Sequence, residues 1–286
     1  MNIPVKEPRC ILAPNPSPLT GPGTNTFLIG NEHIAVIDPG PDDASHREAI
    51  LAAAQGKITH IFVTHAHLDH SGGATALARE TGAPVLAYGD ALAGRSATMR
   101  KLADQGVAGN EGLDLQFAPD ITLSDGQSVE TPEWTLTPLH TPGHSAGHLS
   151  FLWRDTLFCG DIVMGWSSTL ISPPDGDLAE YFRSLEKIES LGAHRLCPAH
   201  GDAISAPANR IAELVRHRRA RTSQIMAALR QSPDTAEGIA RRIYDVPPAL
   251  LGAASRNVLA HLVALSDLGA VKSEGEILSQ AEFSIL

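Results

Sequence analysis

The sequence predicts an α/β layered domain followed by a smaller domain of three helices and a hairpin. Three observations carry this. Short β-rich runs alternate with helical segments between Asn25 and Cys197. After about residue 208 the composition shifts to Arg-rich helical stretches. With 286 residues, 43% hydrophobic and 19% charged, the composition is globular, and the length suits one large domain or a domain of roughly 200 residues with a smaller partner.

In chain order, residues 1–22 hold six prolines and read as an irregular arm with one edge strand at Arg9–Ala13. Thr26–Ile29 and Ile34–Ile37 are β-rich runs around a Gly30-Asn31 turn. Asp42–Ala54 reads as a helix, Ile58–Val63 as a strand, Ser71–Thr81 as a helix with Ser71 as N-cap, and Pro84–Ala87 as a strand. The Gly-rich stretch 88–119 reads as a helix or two on the substrate side, or as a variable surface excursion. Trp134–Leu139, Leu149–Trp153 and Thr156–Cys159 resume strand character, Leu178–Leu191 is a helix, and His194–Cys197 is a last strand. Then come helices at Ala208–Arg230, Thr235–Tyr244 and Pro248–Leu268, and a hairpin at Val271–Leu278 around Glu274-Gly275, which is the winged-helix pattern.

A net charge of −10 argues against an overall basic nucleic-acid coat. Three cysteines form no disulfide framework and read as core residues. The start has no apolar signal region, and no uninterrupted apolar run approaches the roughly 18 residues of a membrane helix, so a cytoplasmic location without membrane contact is expected. Thirteen histidines stand out, because histidine binds metals and moves protons near neutral pH.

Some of them are arranged. His65-Ala66-His67-Leu68-Asp69-His70 follows a buried strand and precedes a helix. Side chains at i and i+2 of a strand end point the same way, so His65 and His67 can grip one ion, while Asp69 and His70 lie past the turn and can reach a second. His144 follows the strand that ends at Leu139, Asp161 follows Cys159-Gly160, and His200 follows Pro198-Ala199. Each alone reads most simply as a turn residue. Together with the first cluster they supply what two tetrahedral or five-coordinate zinc ions need.

The order HxHxDH, His, Asp, His closely resembles the metallo-β-lactamase fold superfamily, across residues 22–205. The resemblance implies a four-layer αββα sandwich with a dinuclear site at one edge. It assigns His65, His67 and His144 to a first metal, and Asp69, His70 and His200 to a second. Asp161 bridges them together with a hydroxide. All seven positions are filled. Two zinc ions are implied, with iron or manganese equally compatible with His/Asp ligands. With Asp69, Asp161 and hydroxide, such a site keeps a net charge near +1, suited to an anionic hydrolytic transition state. Asp69 is also the residue that would orient the hydroxide. His148, four residues after His144, is a second catalytic candidate as a proton donor or substrate contact, or else a structural histidine.

Asn15–Thr20, Gly23–Leu28, Gly143–His148, Cys159–Asp161 and Ser255–Leu262 resemble the subgroup containing the β-lactamase-like protein 2 endoribonucleases, which carries a winged helix. Cys159 and Ala199 depart from the smaller residues expected there. Domains at 1–206 and 207–286 follow. The leading functional expectation is cleavage of single-stranded RNA. The alternative is hydrolysis of a thioester or lactone of a small acyl substrate, as in glyoxalase-II-type enzymes. A non-catalytic nucleic-acid-binding regulator fits least, because no ligand position is lost. Between Asn209 and Arg256, nine arginines against four carboxylates leave a surplus of five positive charges, so the rest of the chain carries −15. This stretch reads as a nucleic-acid footprint, an inter-domain or homo-oligomer face, or a solvated surface. Ser167-Ser168-Thr169 could hydrogen-bond a phosphate or carboxylate, or be plain loop hydroxyls.

Overall fold

The computed structural model describes residues 7–107, 109, 112–277 and 280–286. Two sheets form its centre. The first runs β1 (Arg9–Leu12), β2 (Asn25–Ile29), β3 (Ile34–Ile37), β4 (Ile58–Phe62), β5 (Val85–Ala87) and β6 (Ile121–Thr122) in spatial order. The second has β11 (Arg195–Pro198), β10 (Thr156–Gly160), β9 (Leu149–Trp153), β8 (Thr135–His140) and β7 (Val129–Glu130) side by side. Strands β3 to β6 pair in parallel, as do β10 and β11, and their ends share one rim.

Alternation along each strand builds the layers. Phe27, Ile29, Ala35, Ile37 and Phe62 of the first sheet face Leu136, Leu149, Phe151, Trp153 and Phe158 of the second. The intervening Leu28, Val36, Ile61 and Val63 point the other way, against α1 (Ala44–Ala54) and α3 (Ala74–Thr81). Leu157, Cys159 and Leu196 point outward from the second sheet toward α5 (Leu178–Ser190) and the first half of α6 (Pro207–Gln231). Strands buried on both faces read as continuous apolar runs, which is why they were visible in the sequence. The result is the expected αββα sandwich.

The second half of α6, with α7 (Ala236–Ile243) and α8 (Leu251–Asp267), packs around Ile225, Leu229, Ile239, Val258, Leu262 and Phe283. A small sheet of β12 (Asp234–Thr235), β14 (Glu282–Ile285) and β13 (Val271–Ser273) completes a winged helix. Helix α6 therefore serves both cores. The stretch Pro248–Asp267 is long and apolar enough to cross a membrane, yet here its residues Val258, Leu259, Leu262 and Val263 are the centre of this second core.

Several expectations are corrected. The segment after the His cluster splits into α2 (Leu68–Ser71) and α3, so Ser71 ends a turn instead of capping a helix, and its hydroxyl donates to the His67 carbonyl at 3.0 Å. Among the described residues of 88–119, the helix alternative holds. Helix α4 (Ala97–Asp104), capped by Ser96, puts Met99 and Leu102 into the C-terminal core. The hairpin is wider than expected. β13 pairs with β14 at Glu282–Ile285, and Leu278, where the expected hairpin ends, lies outside the described residues. Cys10 is exposed on the edge strand, while Cys159 and Cys197 are core.

Candidate metal centre

The rim where β4, β8, β10 and β11 end gathers all seven sequence-predicted ligands. His65 Nε2 and His144 Nε2 lie 2.9 and 3.0 Å from His67 Nδ1. Three imidazole nitrogens converging this tightly suit one tetrahedral ion, whose ligand atoms sit roughly 3.3 Å apart. Beside them, His200 Nε2 is 3.3 Å and His70 Nε2 3.6 Å from Asp69 Oδ2. Asp161 spans the two groups. Its Oδ2 is 3.7 Å from His144 Nε2 and 3.6 Å from His70 Nε2, and its Oδ1 is 3.4 Å from His200 Nε2.

Each of four imidazoles is held from behind. His65 Nδ1 donates to Thr64 Oγ1 at 3.0 Å, His70 Nδ1 to Asp38 Oδ2 at 3.0 Å, His144 Nδ1 to the Leu170 carbonyl at 2.7 Å, and His200 Nδ1 to the Gly23 carbonyl at 3.1 Å. With the outer nitrogen donating, the inner Nε2 is free to bind a cation. His67 turns the opposite way and offers Nδ1. Buried His70 Nε2 and Asp161 Oδ1 have no hydrogen-bond partner. A folding role alone would not leave such atoms bare in an interior, and a bound ion satisfies them. The donor set, five imidazoles and two carboxylates, fits a pair of divalent transition ions.

Sequence reasoning missed the scaffold behind the ligands. Asp38, buried after β3 with φ 51°, also accepts from the Thr64 amide at 2.7 Å and hydroxyl at 2.8 Å, tying His65 and His70 to one carboxylate. Its signal was an aspartate at a strand end before Pro39-Gly40. Asn25 donates to the carbonyls of Pro198 at 3.1 Å and Gly201 at 2.8 Å, clamping the loop that carries His200. Thr169 hydrogen-bonds His144 Nδ1 at 3.2 Å, so it supports a ligand and is no loose loop hydroxyl.

Of the two readings offered for His148, its surroundings fit the structural one. It is fully buried, does not line the cavity above the ligands, and uses both nitrogens. Nε2 accepts the Asp161 amide at 3.2 Å, which leaves Nδ1–H to donate to Thr141 Oγ1 at 2.9 Å. Burial holds its pKa well below the usual imidazole value, so it stays neutral. Gly160 explains the neighbouring Cys-Gly-Asp sequence: at φ +47°, a Cβ there would meet His148 Nε2 at 2.4 Å.

The cluster divides electrostatically. Burial and the neighbouring histidines push His67 down to about 3, and burial likewise lowers His65 and His144. Burial also disfavours charge on His70 and His200, but the facing carboxylates win. They raise His70 well above the ordinary value and push His200 up to about 10. Without a cation, His70 and His200 therefore hold protons at neutral pH, whereas the first three do not. A metal at the second position must displace those protons, so its affinity drops as pH falls, by up to roughly a hundredfold per unit. Calorimetric zinc titrations in buffers of different ionisation heat should show more than one proton released with the weaker equivalent. Equal release with both equivalents would contradict this division.

Above the ligands lies a cavity of about 390 Å³. Its walls include Leu19, Met164, Trp166 and Leu170 from the sandwich and Tyr244, Val246, Leu250, Ala253 and Ala254 from the winged helix. No lysine or arginine lines it among the described residues.

Comparison with known proteins agrees with this arrangement. The profile of the metallo-beta-lactamase superfamily matches residues 19–200, and that of the beta-lactamase associated winged helix domain matches residues 235–280. A beta-lactamase-like protein 2 homolog from Drosophila melanogaster is 30% identical over 92% of this chain and 88% of its own length. An atrochrysone carboxyl ACP thioesterase from Aspergillus fumigatus is 29% identical over 79% of this chain and 67% of its own. A metallo-beta-lactamase family protein from Thermus thermophilus shares the fold across 98% of both chains, with a TM-score of 0.78 at 24% identity. The chain thus belongs to the metallo-beta-lactamase superfamily of hydrolases, with the associated winged helix at its C-terminal side.

Proposed function

We propose that this hydrolase cleaves a small apolar acyl substrate, a thioester or related ester, at a dinuclear metal centre. The observation that carries this is the cavity: apolar walls, no cationic side chain among the described residues, and a volume of about 390 Å³. That size suits a small-molecule acyl arm. Single-stranded RNA brings a phosphate with every nucleotide and needs cations along its path. The thioesterase relative is consistent with an acyl substrate.

The arginine surplus is partly tied up by the protein itself: Arg218 is buried and several others bind their own chain, although Arg216, Arg219, Arg230, Arg241 and Arg242 are exposed. Arg210 donates to the carbonyls of Met164 at 2.8 Å and Ser167 at 2.6 Å. Arg221 stacks 3.8 Å over the Tyr244 ring and donates to the Ile243 carbonyl at 2.9 Å. Arg241 and Arg242 pair with Glu237 and Asp234. Helix α8, which a winged helix would lay in a DNA groove, is packed into the core and roofs the cavity. This also weighs against the nucleic-acid-binding regulator. Trp166, which is exposed, and Tyr244 are aromatic residues lining the cavity, and base stacking on them is what favours RNA cleavage as the second reading.

When bound, the metal pair supplies a water activated near neutral pH and a Lewis acid for the carbonyl. The protein does the rest. Asp69, the most exposed of the ligands at the second position, orients the attacking water and takes its proton. Leu19, Met164 and Val246 hold the acyl arm and exclude bulk water. Ser167 and Ser168 line the same cavity and offer hydroxyls to the leaving group.

The test is a panel of acyl-thioesters of increasing chain length, simple lactones and labelled single-stranded RNA, each with metal-loaded protein and with Asp69→Ala. The expected result is EDTA-sensitive thioester turnover whose kcat/KM rises with chain length until the cavity is full. Asp69-dependent RNA cleavage with no acyl turnover would reverse the order of the two readings.

A further inference from the structure

Three consecutive residues behind the first metal position are each pinned. His144 Nδ1 donates to the Leu170 carbonyl and meets Thr169 Oγ1. The Thr169 carbonyl accepts from Arg218 Nη2, and the Ile171 amide donates to Asn257 Oδ1 at 3.1 Å. Arg218 Nη1 donates to that same Asn257 oxygen at 2.9 Å. Arg218 lies on α6 and Asn257 on α8, so both anchors come from outside the sandwich that carries the ligands.

Arg218 is a costly residue to keep for packing alone. It is 1% exposed, and no carboxylate lies within ion-pair distance of it among the described residues. Its charge is met by two oxygens and by the face of Tyr181, 5.4 Å away. Burying a charge that no opposite charge meets costs folding free energy. What an apolar side chain cannot supply is the planar fork that holds two oxygens in fixed relation.

We propose that Arg218, acting with Asn257, is a positioning residue for the first metal. It fixes segment 169–171, so that the Leu170 carbonyl holds the His144 proton on Nδ1 and turns Nε2 toward His65 and His67. The C-terminal domain thereby forms part of the metal centre. The inference rests on the metal-centre reading above, and it assigns the buried part of the arginine surplus a role toward the metal.

The experiment compares wild type, Arg218→Met, Asn257→Leu and Asn257→Asp by competition with a chelator for zinc and by the visible spectrum of the cobalt-loaded proteins. Thermal melts report folding. Arg218→Met and Asn257→Leu are expected to melt cooperatively, to weaken the tighter metal equivalent by about tenfold to a hundredfold, and to shift the cobalt bands. Asn257→Asp accepts the same two hydrogen bonds and should stay within about threefold of wild type. Arg218→Met and Asn257→Leu with wild-type affinity and spectrum would overturn the proposal. If Arg218→Met does not melt cooperatively, Asn257→Leu against Asn257→Asp decides it. Wild type taking up no metal would overturn the metal reading itself, a different outcome.

Discussion

Asp161→Ala is expected to lower kcat/KM by about a thousandfold and to remove at least one metal equivalent. One carboxylate faces His144 on one side and His70 and His200 on the other, at 3.4–3.7 Å. No other carboxylate among the described residues spans both groups. Its loss removes a ligand from both positions at once and leaves His70 and His200 without one of the two carboxylates that face them both. Asp161→Asn keeps the shape but not the charge, so it should lose nearly as much. Metal content by mass analysis and kcat/KM on the best acyl substrate check the prediction together. Two retained metals with near-wild-type turnover would remove Asp161 from its bridging role.

A chain ending at residue 206 is expected not to fold cooperatively. Met99, Leu102 and Val107 belong to the same buried cluster as Ile225, Val258 and Leu262 and would lose that cover. At about 1.5–3 kcal/mol for each large apolar side chain returned to water, three such residues cost about 5–9 kcal/mol, comparable with the whole stability of an ordinary domain. Tyr181 and Leu185 lose further cover when Ile211 and Leu214 go with α6. The truncated chain would also lose the cavity wall from Tyr244 to Ala254. Solubility, circular dichroism melts and acyl turnover test this. A soluble fragment with a melting temperature and activity close to those of the full chain would show that the winged helix is an appendage.

The layered fold and the ligand set were legible because both are local signals. Apolar runs mark doubly buried strands, and His65, His67, Asp69 and His70 lie within six residues at a strand end. The supporting groups were not, since Asp38, Arg218 and Asn257 act on His70, Thr169 and Ile171 across 32, 49 and 86 residues of chain separation through hydrogen bonds that leave no periodicity. His148 stayed undecided because four-residue spacing from His144 places two side chains together only on a helix. Here the backbone between them turns, the His148 amide donating to the Ser145 carbonyl at 3.3 Å, and His148 ends up beneath the Asp161 loop. The arginine count leaves its alternatives open for another reason: a surplus of charge does not say which guanidinium groups face water, as Arg216, Arg219 and Arg230 do, and which, like Arg218, lie in the seam between two cores. The wing was read too tightly because the Glu274-Gly275 turn signal is local, whereas its partner strand begins at Glu282.

The most direct measurement of the central claim is an anomalous-scattering map from crystals of the full chain grown with zinc. The account predicts two peaks about 3.5–4 Å apart, one ringed by His65, His67 and His144, the other by Asp69, His70 and His200, with Asp161 touching both. No peak in this cluster, or a single peak that leaves His70 and His200 uncoordinated, would contradict it.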